Sequence, residues 1–234
     1  MGKISGKYKN YKGVAVFGAP GTGKTTIAKT ILGLFPDGKC LEASSVVINP
    51  ASAIKNFLPV KEDAFIRKIG KIYKKSVKNS ISREKARNLF VYLKNKYTPA
   101  IVAKTLAHLH KKYFPNKFMI IAGIRGFKNS TYLKKKGYLI VYLKTPVKDS
   151  SRRLAQRENF SQKTAERERK IEERLFSTNK VERIAHLSFN TTFTTGKEIA
   201  AQIKALAEAK ECKQCANSSA NLSVSIGESG LCDI

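Results

Sequence analysis

Gly18, Ala19, Pro20, Gly21, Thr22, Gly23, Lys24 and Thr25 have the types and the spacing to hold a phosphate. The run obeys Gly-x-x-x-x-Gly-Lys-Thr. It also stands where that pattern has physical meaning, between the apolar stretch Val14 to Phe17 and a helical pattern through Ile27, Ala28, Ile31 and Leu32. Glycines leave backbone N–H groups free to curl around an anion, and the helix that follows, through Thr26, points its positive end at the same spot. Lys24 supplies a point charge for the outer phosphates of a nucleoside triphosphate, and the Thr25 hydroxyl is placed to ligate Mg²⁺. Strand, spacing, lysine and threonine together make this the chain's most specific signal. Further along, Arg125 directly follows an apolar run, the place where ligands bind at the end of a buried strand.

The elements that must position these residues are legible in order. Residues 13–17 read as a first strand and 24–35 as a first helix, ended by Phe35-Pro36-Asp37-Gly38; residues 39–43 read as a second strand. From residue 44 to 115 the chain carries helical periodicity and hardly any strand signal. Ser82 is placed to cap a helix whose apolar face is Ala86, Leu89, Phe90 and Leu93, and Ile101, Val102, Thr105, Leu106 and Leu109 line the next one. His108 and His110 fall on that second helix, where surface or edge positions are expected. The continuous apolar run 118–122 predicts a central parallel strand ending at Gly123-Ile124-Arg125-Gly126. A short helix over 129–136, a strand over 138–143, a charged helical stretch over 150–174 broken at 159–161, a strand over 184–190 and a closing helix over 196–210 complete the body. Residues 1–12 read as a basic leader, and the Ser-, Asn- and Gly-rich residues 211–234 as a flexible tail.

The chain has 234 residues, 42% of them hydrophobic, enough for one α/β core with an inserted subdomain. No run approaches the roughly 20 apolar residues of a membrane span and the first residues form no signal-peptide core, so a cytoplasmic protein without membrane partners is expected. Cys40, Cys212, Cys215 and Cys232 are too scattered for a disulfide framework, and Cys212-Lys-Gln-Cys215 is only half a zinc site. The formal charge of +28, from 45 Lys and Arg against 17 Asp and Glu, calls for polyanionic company. Because the basic runs lie in different segments, RNA is the less favoured partner at this level and a nucleotide the more favoured one.

Several pieces, taken in order, resemble a known group. They are the loop from Gly18 to Thr25, the run from Ser82, Arg83 and Glu84 to Pro99, the strand ending in Gly123-Ile124-Arg125, the pair Arg153 and Arg157, the run Glu166-Arg167-Glu168, and Asn190. Over about residues 13 to 206 the chain resembles the P-loop nucleoside monophosphate kinase superfamily. Within it the likeness is to dephospho-coenzyme A kinases, deoxynucleoside monophosphate kinases and adenylate-kinase-like proteins. The resemblance implies an α/β P-loop NTPase fold over residues 13–210. It would have a five-stranded parallel sheet flanked by helices, a helical acceptor-binding insertion at 44–115 and a lid at 157–168. It implies ATP and Mg²⁺ as cofactors and a phosphorylated small-molecule acceptor as partner. Carried residue by residue, it gives Lys24, Arg153, Arg157 and Arg167 catalytic roles, Arg125 and Arg83 contacts to the acceptor, and Thr25 the metal.

Physical chemistry agrees with these arginines. Phosphoryl transfer spreads charge over three oxygens, and guanidinium forks match phosphate better than ammonium groups do. The alternative for each is a solvated helix face pairing at i,i+4 with Glu166, Glu168, Glu172 or Glu173, which is the reading for Arg169 and Arg174. The chain departs from the family pattern at Ala122, where an Asp that helps hold Mg²⁺ is usual, at Ser150, where an arginine is common, and at His186, where an Asp is common. With Ala122 in place the metal falls to Thr25, ATP and water, with Glu42 as a helper. The functional expectation is an ATP-dependent phosphotransferase acting on a nucleoside or deoxynucleoside monophosphate. The alternatives are a dephospho-coenzyme A kinase and an RNA- or ribosome-associated ATPase on the same fold. An AAA-type ATPase shares the loop, but no apolar strand here ends in adjacent acids.

Overall fold

Strands covered on both faces must be apolar throughout, and the central ones here are. A computed structural model of the chain describes residues 11–43, Arg87, Asn88, Phe90, Val91, Lys94, Asn95 and 98–209. Strand β1 (Gly13–Gly18) is buried at every position, as is β3 (Met119–Ala122), and β4 (Tyr138–Lys144) is buried up to its last residue. With the shorter β2 (Lys39–Glu42) and β5 (Leu187–Asn190) they form one five-stranded sheet in the order β2-β3-β1-β4-β5. Every pairing is parallel. All strands therefore finish at the same end of the sheet, which is where loops can gather around a ligand.

Two apolar layers cover the sheet. On one face α1 (Lys24–Leu34) and α6 (Gly196–Glu208) pack together over Val14, Val16, Ile120, Val141 and Leu143, and Phe35 stacks on Phe118 with ring centroids 4.2 Å apart. On the other, α2 (Ile101–Tyr113) and α3 (Phe127–Lys135) cover Ala15, Phe17, Ile121, Ile140 and Tyr142. Helices α4 (Val147–Glu158) and α5 (Gln162–Phe176) pack on one another beyond β4, joined through Asn159 in the left-handed region. A 3₁₀ turn over Thr178–Ile184 leads into β5.

The fold is the α/β architecture expected, with differences of detail. The expected insertion ran to residue 115, yet α2 buries Ile101, Val102, Ala103, Leu106 and Leu109 in the core layer of the sheet, so this last stretch is body rather than lobe. His110 is buried rather than at an edge. Its Nδ1 lies 2.5 Å from the Tyr138 hydroxyl and its Nε2 2.9 Å from the Lys117 carbonyl, so both ring nitrogens are satisfied and the ring fills the core. Helix α3 starts at Phe127, two residues before the expected start, because Asn129 holds the turn from inside. Its Nδ2 donates to the Arg125 carbonyl at 2.6 Å, and its Oδ1 accepts from the Ala103 N–H at 3.1 Å, capping α2, whose N-cap Ala100 offers no side-chain cap. The leader to residue 10, the tail from 210, Ser82, Arg83 and most of residues 44–97 lie outside the described residues.

Candidate active site

The glycine loop shows why its residues are glycines. Gly21 and Gly23 have φ of +81° and +85°, conformations that L side chains avoid, and a Cβ on Gly21 would sit 2.0 Å from the Ser150 carbonyl oxygen. Ser150 is fully buried at the start of α4 and turns its hydroxyl back to the Pro146 carbonyl, 3.0 Å away. The Ser150 main chain is thus the floor on which the loop rests. Thr22 is buried and donates to the Ala19 carbonyl at 2.9 Å, and Lys24 Nζ donates to the same oxygen at 2.7 Å.

Helix α1 begins at Lys24 with Gly23 as N-cap, no side-chain cap and no acid in its first turn. Its first helical bond runs from the Ile27 N–H to the Gly23 carbonyl, so the amides of Lys24, Thr25 and Thr26 precede the ladder. An uncapped, acid-free helix start behind a ring of glycines has the make-up of an anion site.

This helix start opens on a cleft of about 540 Å³. Pro20, Gly21, Gly23, Lys24, Thr25 and Thr26 form one wall; Glu42, Gly123 and Arg125, from the ends of β2 and β3, form the facing one; Arg157 and Glu158, closing α4, form the rim. Gly18, Ala19 and Thr22 lie beneath the loop as its support rather than in the lining. Of the arginines expected to have catalytic roles, Arg157 reaches the cleft and pairs with Glu158 at 2.8 Å. Arg153, one turn earlier on α4, and Arg167, on α5, are exposed and outside the lining.

Arg125 is held in place. Its Nη1 stands 2.9 Å from Glu172 Oε1, a close ion pair without the alignment of a hydrogen bond, and its guanidinium lies 5.9 Å from the centre of the Phe176 ring. Glu172 is 2% exposed. The sequence pattern placed Glu172 on a solvated helix face; the structure turns it inward, because α5 has Arg125 and the sheet end on that side. Arg169, also read as solvated, turns its Nε into a buried position. Arg87, 9% exposed, binds Glu168 at 2.5 Å and ties the helical segment before residue 98 to α5.

Asn129 and Glu172 are the positioning residues that sequence reasoning missed. A mid-helix Asn was a visible signal for the first; nothing short of the tertiary packing of α5 could have shown the second. Beyond Arg125, a largely apolar cavity of about 370 Å³ lies between α2, α3 and the end of α5, lined by Phe90, Ile101, Phe127 and Phe176 with Lys94, Lys128 and Lys180.

The metal question turns on Glu42. In the sheet register Glu42 is the partner of Ala122, so the adjacent strand brings a carboxylate to the level where β3 has none. Glu42 and Thr25 both line the cleft, a hydroxyl and a carboxylate of the hard-oxygen kind Mg²⁺ prefers. No group of three or more His, Cys, Asp or Glu gathers among the described residues.

Strand order, glycine loop and helix start together define the P-loop kinase-like fold. The solved structure of shikimate kinase from Acinetobacter baumannii in complex with shikimate is similar, at a TM-score of 0.51 and 17% identity, over 85% of this chain and 94% of that one. The chain is also similar to TT1252 from Thermus thermophilus (TM-score 0.48, 15% identity, 84% of this chain and 97% of that one). A third such structure is dephospho-CoA kinase from Campylobacter jejuni (TM-score 0.45, 18% identity, 84% and 97%). At these identities the likeness is one of fold, and it rests on the first structure together with the topology. No protein-family model and no curated protein matches the sequence. Among the described residues no helix is long and apolar enough to cross a membrane.

Proposed function

We propose that the chain is an ATP-dependent phosphotransferase of the nucleotide-kinase type, working in the cytoplasm on a phosphorylated, nucleotide-like acceptor. The observation that carries the reading is one cleft lined by the start of α1 with Lys24, by Arg125 and by Arg157. The helix start with Lys24 faces Arg125 across it, and Arg157 stands at the rim. One wall suits the tail of a nucleoside triphosphate, and the other suits the phosphate of an acceptor.

In this reading the loop amides and Lys24 hold the β- and γ-phosphates, and Thr25 with Glu42 holds Mg²⁺, which when bound shields charge between them. Arg125, oriented by Glu172 and Phe176, binds the acceptor phosphate, and Arg83 is a second contact to it. Arg157 stabilises the transferring phosphoryl group, joined by Arg153 and Arg167 when the stretch 157–168 closes and excludes water. The γ-phosphoryl passes to an acceptor oxygen and ADP leaves.

A coupled assay of ADP release over a panel of nucleoside monophosphates, deoxynucleoside monophosphates and dephospho-coenzyme A tests this. One acceptor class should raise the rate at least tenfold over water alone. Arg125→Ala should raise the acceptor KM by about 10- to 100-fold, the loss expected of a charged hydrogen bond, while ATP affinity stays within about twofold. Folded protein that binds ATP and answers to no acceptor would sink the proposal.

A further inference from the structure

The opposite end of the sheet carries a second cationic feature that the cleft does not use. Helices α2 and α3 both run back from the cleft end and deliver the chain to the first residues of β3 and β4. Their C-terminal turns therefore lie side by side at the end where the strands begin. Lys111, Lys112 and Lys117 follow from α2, and Lys134, Lys135 and Lys136 from α3; all six are exposed.

This edge is fixed rather than frayed. The His110 bonds to Tyr138 and Lys117 join α2 to the starts of β3 and β4, and the Lys12 N–H donates to the Gly137 carbonyl at 2.9 Å. Opposing charge is scarce. Between Glu84 and Asp149 the sequence contains no Asp or Glu, so neither helix nor the links after them carry an acid. Asp37, 3.6 Å from Lys117, is an acid at this end, and Glu208 closes α6 on the other face of the sheet.

Two aromatic rings sit among the lysines. Lys112 lies 5.4 Å from the centre of the Tyr113 ring, and Lys136 lies 5.7 Å from that of Tyr132, both rings half-buried. The exposed large apolar side chains of the described residues are Val147 and Phe193, on other elements, so this edge has nothing to insert into a lipid surface.

We propose that this lysine edge docks the phosphate backbone of a nucleic-acid strand, at a site separate from the cleft. Exposed ammonium groups clustered at one edge attract the phosphates of such a strand without reading its sequence. The length of β4 puts the edge roughly 20 Å from the phosphate loop, so both sites can be filled at once. If all six lysines neutralise phosphates, log affinity should fall against log salt with a slope of about −4 for a single strand.

The test is fluorescence anisotropy with a labelled single-stranded RNA of about 20 nucleotides and the DNA of the same sequence, titrated from about 50 to about 200 mM salt. The wild-type chain should show the steep slope with at least one of the two, and the tighter one names the strand. Replacing the six lysines by glutamine should weaken binding at least 30-fold and flatten the slope. A control changing Lys29, Lys148, Lys163, Lys170, Lys197 and Lys204 to glutamine should lose less than threefold. Saturating MgATP should leave the affinity within twofold. Should the six-fold variant misfold, as judged by its thermal midpoint, the triple change Lys134→Gln, Lys135→Gln and Lys136→Gln should still cost at least fivefold. Equal loss in the control, salt-insensitive binding, or displacement by polyglutamate as effective as by RNA would each overturn the proposal.

Discussion

The two ends of the sheet both gather positive charge, and they do so by opposite means. Where the strands finish, the charge is largely backbone. It consists of the N–H groups of a helix start, turned inward by glycines and set in a cleft with Lys24 and Arg125. Where the strands begin, it is side chain, ammonium groups standing outward on a surface sealed by His110 and Tyr138. A concave set of fixed dipoles discriminates by shape because only a compact anion fits between them, whereas exposed side-chain charges answer mainly to charge density. On the two proposals, the chain offers a selective and a tolerant anion site at opposite ends of the sheet.

Glycine tests the contrast most severely, since a glycine of nearly equal conformation stands at each end. Gly21 has φ +81° and Gly137 φ +82°, but a Cβ at 21 would meet the Ser150 carbonyl at 2.0 Å, while at 137 the nearest atom is Lys12 Cε at 3.8 Å. Gly137→Ala should lose about 1 kcal/mol, the cost of the backbone conformation alone. Gly21→Ala should lose about 3 to 4 kcal/mol, the same cost plus that of overpacking against main chain. Urea denaturation of the two variants checks this, and equal losses would mean that the loop floor is softer than its geometry.

Next in size is the charge itself. Lys24→Ala should weaken ATP binding at least about 100-fold, near 3 kcal/mol, because in the proposed reading it removes the ammonium that meets the outer phosphates. The melting temperature should stay within a couple of degrees. Lys135→Ala, at the other end, should leave ATP affinity unchanged. Calorimetry that found comparable losses for both would show the nucleotide to be held by overall charge rather than by the cleft.

The cleft end was legible in the sequence and the lysine end was not, for a physical reason. Gly18 to Thr25 constrain one another locally, so their spacing states the structure. Arg125 announced itself by following a buried strand, and β1, β3 and β4 by their apolar runs. The lysine edge is made of residues from two helices that pack on one another and both run toward the start of the strands; along the chain they read as separate runs in a diffuse excess. Glu172 and Arg169 were misread for a related reason. The helical pattern of α5 is charged on most sides, so periodicity could not say which charged residue turns inward, and the packing of α5 over Arg125 decided it. Arg83, expected to contact the acceptor, lies outside the described residues.

Smaller is the effect of protonating His186, just before β5. Burial chiefly, and the charge of Lys134 next, lower its pKa from 6.5 to about 4. Its Nδ1 accepts from the Ile140 N–H at 2.8 Å, which the doubly protonated ring cannot do. Because the folded pKa is the lower one, the unfolded chain binds the proton more readily. The stabilising contribution is complete above about pH 6.5 and is lost as pH falls toward 4, on the order of 2 kcal/mol allowing for partial exposure. Wild type should therefore lose more stability between pH 7 and pH 4.5 than His186→Gln does, and parallel profiles would remove the histidine from the account.

The mildest change probes the seal at the lysine end. Burial raises the Tyr138 pKa and lowers that of His110, so both stay neutral. The tyrosine O–H then donates to Nδ1, and the Nε2–H donates to the Lys117 carbonyl. Tyr138→Phe keeps the ring in the core and strips one donor, leaving a buried nitrogen without its partner at a cost of about 1 to 2 kcal/mol. The urea midpoint should fall by that amount with the slope unchanged, and ATP affinity at the far end should not move. A fall in ATP affinity would mean that the two ends are mechanically coupled through β4, and the contrast between an independent selective site and an independent tolerant one would have to be given up.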